Sequence, residues 1–436
     1  MFMNTKTNHS LTRRAYKATN SFMRGLRRLS SQKSEDVPKP GNGMKVAMIH
    51  NEKRISTGAH HINQIMAIAL KERGATVRNF YPRWQIANAP IHMRGLANIL
   101  FFHSLLEHKD DILRYHIIQG TTYTTLPFLS FKTPIVSHFG STTIGFLKNT
   151  PRTSMLLPNE ITIWHELRDL GIISGLELET FRPLRDIADM EKLVATRVTR
   201  CIATSEHVKG ELIDMGVSPE RIKVVHNAIE NYWFEREESP VVSDPHIVFL
   251  GRLGGDVFTL KLKGLDRLIG LYRSFPDIPK TTICMTTNKK LKEWLRVTFP
   301  IHYMHTNIRK DLIPDVLSCR YGSILFISSR YEGFSLSLVE GMSQGLVPIS
   351  YSVGVASEVI KNGENGFLVS SNEEAQEKVK ELISNPEKRL AMAGAARKTA
   401  EQFRSGTIAD DLLRLYREIR AEYGQNRTQR SGSHGS

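Results

Sequence analysis

The chain has 436 residues, of which 40% are hydrophobic, and it carries a formal charge of +15 with a pI near 9.6. This length suffices for two sizeable hydrophobic cores, and the positive charge attracts phosphates, whether in nucleotides, nucleic acids or anionic lipids. The cysteines Cys201, Cys284 and Cys319 are far apart and odd in number. That pattern disfavours a disulfide framework or a zinc site and favours a reducing compartment.

Residues 1–43 form a basic segment with nine Lys or Arg and two acidic residues. Within residues 11–30, Ala18, Phe22 and Leu26 recur at helical spacing between arginines, which is typical of an amphipathic helix lying on an anionic membrane surface. An organelle transit peptide and a solvated tail are the alternatives. No apolar run reaches the about 18 residues of a membrane span. We therefore expect a cytoplasmic protein, peripheral to the inner face of the membrane if this segment binds lipid.

The next part of the chain alternates predicted strands and helices. A strand over 45–50 is followed by a loop and by a helical pattern that begins at Ile62 and ends near Gly74. Further strands are predicted at 77–81, 115–119, 133–137, 200–204 and 222–226. This alternation predicts an α/β domain with a parallel, doubly wound sheet over residues 44–235.

A charged stretch with two prolines, residues 235–245, is the predicted linker to a second domain over 246–405. That domain has predicted strands at 247–250, 281–285, 323–327 and 347–350, and predicted helices at 265–272 and 337–344. A last helix over 406–423 and a flexible tail over 424–436 complete the chain. Two tandem α/β domains create a cleft between them, which is the usual place for a ligand.

The strongest chemical signal is the segment RYEGFSLSLVEG at 330–341, which follows a predicted strand and opens a helix. Gly333 and the small residues after it allow backbone N–H groups to approach a phosphate at a helix N-terminus. Glu332 and Glu340 are eight residues apart, so one precedes the helix and the other lies about two turns into it. The two carboxylates can therefore contact opposite ends of one extended ligand; surface helix carboxylates are the alternative.

Two cations form a second signal. Arg252 directly follows a predicted strand, and Lys263 opens the next helix. A guanidinium and an ammonium near one helix N-terminus can neutralise a pyrophosphate leaving group. For Arg252 alone, a structural ion pair is the alternative.

The segment EGFSLSLVEG resembles the E-x7-E motif of retaining GT-B glycosyltransferases of the glycogen-synthase-like group, glycosyltransferase family 4 type. SQGLVP at 343–348 and the segment from 358 to 369 resemble further family segments, and the resemblance extends over about residues 44–405. It implies two Rossmann-like domains facing a cleft, with the C-terminal helix packing back toward the first domain.

The resemblance also implies roles for individual residues. Glu332 would contact the transferred sugar, Glu340 the ribose of the nucleotide, and Arg252 and Lys263 the diphosphate. The diphosphate would also be held by the backbone of Gly333, Phe334, Ser335 and Leu336. Because the spacer 254–262 is longer than is usual in the family, Lys261 competes with Lys263 for this role.

In the first domain the family keeps a glycine close to the donor phosphate and the acceptor, which corresponds to Gly58. It often has a histidine that contacts the donor sugar, which corresponds to His138 at a predicted strand end. A purely structural histidine is the alternative for His138. Residues 79–106 and 151–184 are expected to shape the acceptor site.

These observations predict a retaining glycosyltransferase that moves a sugar from a nucleotide-sugar donor, such as a UDP- or GDP-sugar, to a hydroxyl acceptor. Glycan, glycolipid and protein acceptors stay open, in polysaccharide, cell-envelope or glycolipid synthesis. The sequence has no D-x-D triplet, so neither a metal nor another cofactor is expected. The alternatives are a nucleotide-sugar epimerase and a non-catalytic binder of anionic glycan or lipid. A nucleic-acid partner is not expected, because the basic segment lacks the interleaved aromatic residues of such proteins.

Overall fold

Two six-stranded parallel sheets organise the computed structural model, which describes residues 43–50, 58–82, 102–178, 181–235 and 244–432. The first sheet consists of β1 Lys45–Ile49, β2 Thr76–Phe80, β3 Ile117–Thr121, β4 Ile135–Phe139, β5 Arg200–Ala203 and β6 Ile222–Val224. The second consists of β7 Ile247–Arg252, β8 Lys280–Met285, β9 His302–Thr306, β10 Ile324–Ile327, β11 Val347–Tyr351 and β12 Phe367–Val369. Every pairing of these strands is parallel, which confirms the predicted α/β class.

Helices connect the strands in both halves. In the first half they are α1 Gly58–Glu72, α2 Lys109–Ile112, α3 Thr143–Asn149, α4 Pro158–Asp169, α5 Arg182–Arg197 and α6 Glu206–Asp214. In the second half they are α7 Val257–Leu262, α8 Leu265–Ser274, α9 Lys289–Thr298, α10 Ile313–Leu317, α11 Leu336–Ser343, α12 Ala356–Val359, α13 Asn372–Ser384, α14 Pro386–Ala400 and α15 Ser405–Gly432. Short 3-10 turns include Thr153–Met155, Asn231–Phe234 and Lys310–Leu312.

The strand order of each sheet identifies its ligand-binding edge. The first sheet has the order β2-β1-β3-β4-β5-β6, and the second has the order β9-β8-β7-β10-β11-β12. The chain therefore reverses its winding direction between β1 and β3 in the first sheet and between β7 and β10 in the second. In open α/β sheets ligands bind outside the carboxyl ends of the strands at such a switch point.

Two strands were not predicted, one because its sequence is polar and the other because it is short. The edge strand β9 reads HYMHT and is only partly buried, and β12 has only three residues. Central strands such as β10, which reads ILFI, are buried along their whole length and were predicted correctly.

The C-terminal helix α15 packs back on the first half, as expected. Ile408, Leu412 and Tyr416 are buried in the same hydrophobic cluster as Ile62 and Met66 of α1. The Tyr416 hydroxyl also contacts the Gln119 side chain in the middle of the buried strand β3. The helix runs on to Gly432 instead of ending at 423, so part of the predicted flexible tail is helical.

One segment of the first half belongs to the core of the second. Helix α4 packs against α8, with Trp164 and Leu167 in one hydrophobic cluster with Leu268. Arg273 of α8 donates to Glu166 at 2.6 Å across the same contact. We name residues 150–178 the crossing segment. The predicted boundary at 235–245 therefore does not separate two independent cores.

Several predictions fall wholly or partly on residues outside the described ranges. They concern the basic segment 1–43 except Gly43, with its membrane-binding stretch 11–30, the central part of the linker, 236–243, residues 83–101 and 179–180 of the expected acceptor-site segments, and the end of the tail, 433–436. Among the described helices, none is long and apolar enough to cross a membrane.

Candidate functional site

The switch point of the second sheet brings together the loops after β7 and β10. The backbone N–H of Arg330 donates to the Leu262 carbonyl, and the Ser328 hydroxyl donates to the Lys263 carbonyl, each at 2.8 Å. Gly264 permits this contact because it has a φ of +60°, and a Cβ there would lie 2.0 Å from the Ser328 oxygen. Local backbone contacts therefore place Lys263 beside the segment that carries Glu332.

Lys263 and Glu332 are in direct contact. The Lys263 ammonium lies 2.5 Å from a Glu332 carboxylate oxygen, which also accepts a hydrogen bond from the Ser329 hydroxyl at 2.7 Å. Lys261 points elsewhere: its side chain is 1% exposed and donates to Glu177 and to the Pro151 carbonyl, each at 3.1 Å. Of the two candidate lysines, Lys263 is the one that faces Glu332, because the long spacer folds into the extra helix α7.

The N-terminus of α11 has the geometry of an anion site. Its N-cap residue, Ser335, is buried and has a φ of +80°, which is a strained conformation for a residue with a side chain. Among the described residues, the Ser335 hydroxyl has no hydrogen-bond partner. The first N–H groups of α11 and this hydroxyl are therefore available donors at the positive end of a helix.

Gly333 forms the closest approach between the two halves of the protein. A Cβ at this position would lie 1.9 Å from the Gly140 carbonyl oxygen, just after β4. The Gly333 carbonyl accepts a hydrogen bond from the Ser205 hydroxyl at 2.6 Å. Only glycine fits here, since any side chain would push the first half away from the segment that carries Glu332.

Tyr331 anchors the same segment to the first half. Its hydroxyl accepts from the Thr142 N–H at 3.0 Å and donates to the Glu211 carboxylate at 2.8 Å. On the other side of the segment, Glu358 accepts from His226 at 2.9 Å. The two halves are thus held in one arrangement around residues 330–335.

Glu340 lies about one turn into α11, which begins at Leu336, rather than the two turns expected from the sequence. It is paired with a residue that sequence reasoning missed. Its side chain is 7% exposed, and one carboxylate oxygen is 2.9 Å from the Lys310 ammonium. The same ammonium lies 2.9 Å from both oxygens of Glu230, which follows β6. Burial raises the pKa of the Glu340 carboxyl, and Lys310 opposes that rise. Lys310 follows the polar edge strand β9, which gave no sequence signal.

His138 lies near the carboxyl end of β4, and its side chain is buried. Burial lowers its pKa to about 4, and a hydrogen bond with Asn227 acts in the opposite direction. The imidazole is therefore neutral at physiological pH and can both donate and accept a hydrogen bond, as contact with sugar hydroxyls requires.

The two remaining candidates lie at strand ends near the switch points. Arg252 is exposed at the last position of β7. Gly58 is the first residue of α1, which follows β1, and the loop 51–57 between them lies outside the described residues. The structure thus unites Lys263 and Glu332, places Arg252 and the α11 N-terminus on the neighbouring strand ends, and links Glu340 to Lys310.

A family model described as glycosyl transferases group 1 matches residues 233–399, which include all second-half candidates. Among curated proteins, D-inositol 3-phosphate glycosyltransferase of Mycobacterium tuberculosis is 24% identical over 271 residues. The alignment covers 57% of this chain and 54% of the relative, so the chain spans about half the length of the curated relatives it matches.

Solved structures show the same fold at low sequence identity. Sucrose-phosphate synthase from Thermosynechococcus elongatus aligns with a TM-score of 0.65 at 13% identity, over 87% of this chain and 100% of that chain. Anabaena HepE in complex with UDP and glucose aligns with a TM-score of 0.58 at 17% identity, over 85% and 99% of the two chains. Starch synthase IV from Arabidopsis thaliana, bound to ADP and acarbose, aligns with a TM-score of 0.59 at 10% identity, over 87% and 100%. The chain therefore has the GT-B fold, and its residues 233–399 match the model of group 1 glycosyl transferases.

Proposed function

We propose that the chain is a retaining glycosyltransferase that takes a sugar from a nucleotide-diphosphate donor bound at the switch point of the second sheet. The observation that carries this proposal is the Lys263–Glu332 contact beside the N-terminus of α11. It joins a cation suited to a diphosphate with a carboxylate suited to sugar hydroxyls. The structural neighbour HepE was solved in complex with UDP and glucose and with UDP-glucose, which supports a nucleotide-sugar donor.

In the proposed complex the diphosphate lies against the N–H groups at the start of α11, with Lys263 and Arg252 on either side. These groups stabilise the negative charge that grows on the leaving nucleoside diphosphate, which lowers the barrier to transfer. Because Glu332 holds Lys263 in place before the donor binds, little reorganisation of this cation accompanies the reaction. No metal is assigned to this role.

Glu332 and neutral His138 orient the sugar, and Glu340 holds the ribose. An acceptor oxygen forms the new bond to the anomeric carbon on the face from which the diphosphate oxygen departs. The bond between that carbon and the diphosphate breaks, and the proton of the acceptor hydroxyl passes to the departing phosphate. Retention in this step rests on the family resemblance.

A screen of nucleotide-sugars for thermal stabilisation tests the proposal. A ligand that binds only the folded chain stabilises it by about 2.7 kcal/mol at a hundred times its Kd. We expect one UDP-, GDP- or ADP-sugar to raise the Tm of the wild-type chain, and Lys263→Met to abolish that rise. Lys380→Met, which removes an exposed lysine of α13, is the charge-matched control and should keep it. No stabilisation by any nucleotide-sugar would contradict the proposal.

A further inference from the structure

A cavity of about 640 Å³ lies between the crossing segment and the carboxyl edge of the second sheet. Residues 147–163 line it from the first half, and residues of α8, Arg330, Tyr351 and residues 370–372 line it from the second. Arg330 follows β10, Tyr351 ends β11, and residues 370–372 follow β12. The cavity is therefore at the same sheet edge as the proposed donor site, with Arg330 two residues before Glu332.

Two acidic residues in the cavity wall are fully engaged by other groups. Arg330 donates to both carboxylate oxygens of Asp266 at 2.7 and 2.6 Å, and to one oxygen of Glu160 at 2.9 Å. The other Glu160 oxygen accepts the Leu157 N–H at 3.1 Å. All four carboxylate oxygens thus have a partner within 3.1 Å without any contribution from Arg267.

Arg267, the next residue of α8, is left with weak partners. Its guanidinium is 3.5 Å from the Ser329 carbonyl and 3.9 Å from Glu160, and it stacks 3.8 Å from the centre of the Tyr351 ring. The side chain is only 21% exposed. A guanidinium has five N–H donors, so this half-buried cation lines the cavity with most of its hydrogen-bonding capacity unused.

The rim of the cavity adds two exposed cations and several neutral polar groups. One of them, Lys148, lies 3.7 Å from Asp214. Arg152, in the crossing segment, is exposed and also lines the cavity. The other polar lining groups include the side chains of Asn149, Thr150, Asn159, Ser370 and Ser371. Hydroxyls and amides suit a polyhydroxylated ligand, and Arg267 and Arg152, one from each half, suit a group with about two negative charges.

We propose that this cavity binds the acceptor and recognises a phosphate monoester on it, with Arg267 contacting the phosphate from the floor and Arg152 from the rim. This proposal rests on the proposed transferase function, because it assigns the acceptor of that reaction. A phosphorylated sugar or polyol and a lipid phosphate share the chemistry that the two arginines recognise. The volume of about 640 Å³ accommodates the head of either.

Calorimetric titration of the full chain tests the proposal. The probes are D-inositol 3-phosphate and glucose 6-phosphate, with myo-inositol and glucose as unphosphorylated partners, and vesicles that contain phosphatidic acid. We expect the phosphorylated probes to bind more tightly than their partners. Arg267→Met and Arg152→Met should each weaken that binding about tenfold or more, because a charge-assisted hydrogen bond is lost. Arg296→Met removes an exposed arginine of α9 and should leave binding unchanged.

The pattern of binding identifies the source of the phosphate. Soluble probes that bind and depend on Arg267 indicate a free sugar or polyol phosphate, whereas binding confined to vesicles indicates a lipid. Because Arg152 is exposed, its variant should fold normally and keeps the test valid if Arg267→Met is unstable. Equal binding of phosphorylated and unphosphorylated probes, or binding that neither arginine variant alters, would overturn the proposal.

Nucleotide-sugar binding by the wild-type chain, measured without acceptor, separates this inference from the proposed function. If a nucleotide-sugar binds but no phosphorylated probe does, the transferase proposal survives and the acceptor assignment fails. If phosphorylated probes bind through Arg267 but no nucleotide-sugar binds, the cavity is a phosphate site and the transferase proposal fails.

Discussion

Lys310→Met should destabilise the folded protein and weaken donor binding together. The Lys310 ammonium lies 2.9 Å from both oxygens of Glu230 and 2.9 Å from one oxygen of Glu340. Methionine keeps the length of the side chain but leaves two carboxylates, one of them almost fully buried, without their shared cation. Removing one partner of a buried ion pair typically costs about 3–5 kcal/mol. Since Lys310 and Glu230 keep some solvent contact, we expect about 3 kcal/mol.

The loss should depend on pH in a defined direction. The folded-state pKa of Glu340 is already raised, and without Lys310 it would rise further. A carboxyl whose pKa is raised on folding binds more protons in the folded state, so its contribution to stability decreases as pH rises from the unfolded to the folded pKa. Lys310→Met should therefore lose more stability at pH 8 than at pH 5. The His61 side chain also faces this cluster, 3.6 Å from Glu230.

Urea denaturation followed by circular dichroism at both pH values measures this loss, with Lys380→Met as the exposed control. Adding Glu230→Gln to the Lys310 variant should recover part of the stability, because it removes one of the two facing carboxylates. The donor KM, or the Kd of the bound nucleotide, should rise in the single variant because the ribose-binding carboxylate is no longer held. A loss below about 1 kcal/mol that is equal at both pH values would refute this account of Lys310.

Three further variants or titrations test other parts of the site. Gly333→Ala should fold but lose most transferase activity, because the added Cβ would lie 1.9 Å from the Gly140 oxygen and would push the two halves of the protein apart. Unchanged activity with an unchanged structure would contradict this expectation. Ser335→Gly should raise the free energy of unfolding by about 1 kcal/mol, because glycine adopts a positive φ without strain. Ser335→Ala should give no such gain, and equal stabilities of the two variants would exclude backbone strain at this position. The His138 imidazole should stay neutral down to about pH 4 in an NMR titration. The contribution of the neutral imidazole to folding stability is therefore complete above pH 6.5 and decreases as the pH falls from 6.5 toward 4. A titration midpoint near pH 6.5 would contradict the burial of this side chain.

The fold could be predicted largely because buried parallel strands carry long apolar runs. The strands β1, β7, β10 and β11 were all found in this way, and both sheets are parallel, as the alternation of elements predicted. The polar edge strand β9 and the crossing segment gave no such signal. The crossing segment contains α4, and nothing in its sequence indicates that Trp164 is buried in the core of the second half rather than the first.

The candidate site was predicted where function depends on residues close together in the chain. The segment 332–340 combines two carboxylates and a helix start, and the lysine that faces Glu332 was among the two named candidates. The partners of that segment are distant in sequence. Lys310 and Glu230 reach the site only through tertiary packing, so no local spacing could reveal them.

Binding of the nucleoside diphosphate, compared with binding of the corresponding nucleoside, tests the central claim most directly. Titration of both ligands into the wild-type chain, Lys263→Met and the Lys380→Met control isolates the contribution of the diphosphate. The account predicts that the diphosphate tightens binding in the wild type and in the control, and that Lys263→Met removes most of this gain. If the nucleoside diphosphate binds no more tightly than the nucleoside, or if Lys263→Met preserves the gain, the switch point of the second sheet is not where this protein holds a donor.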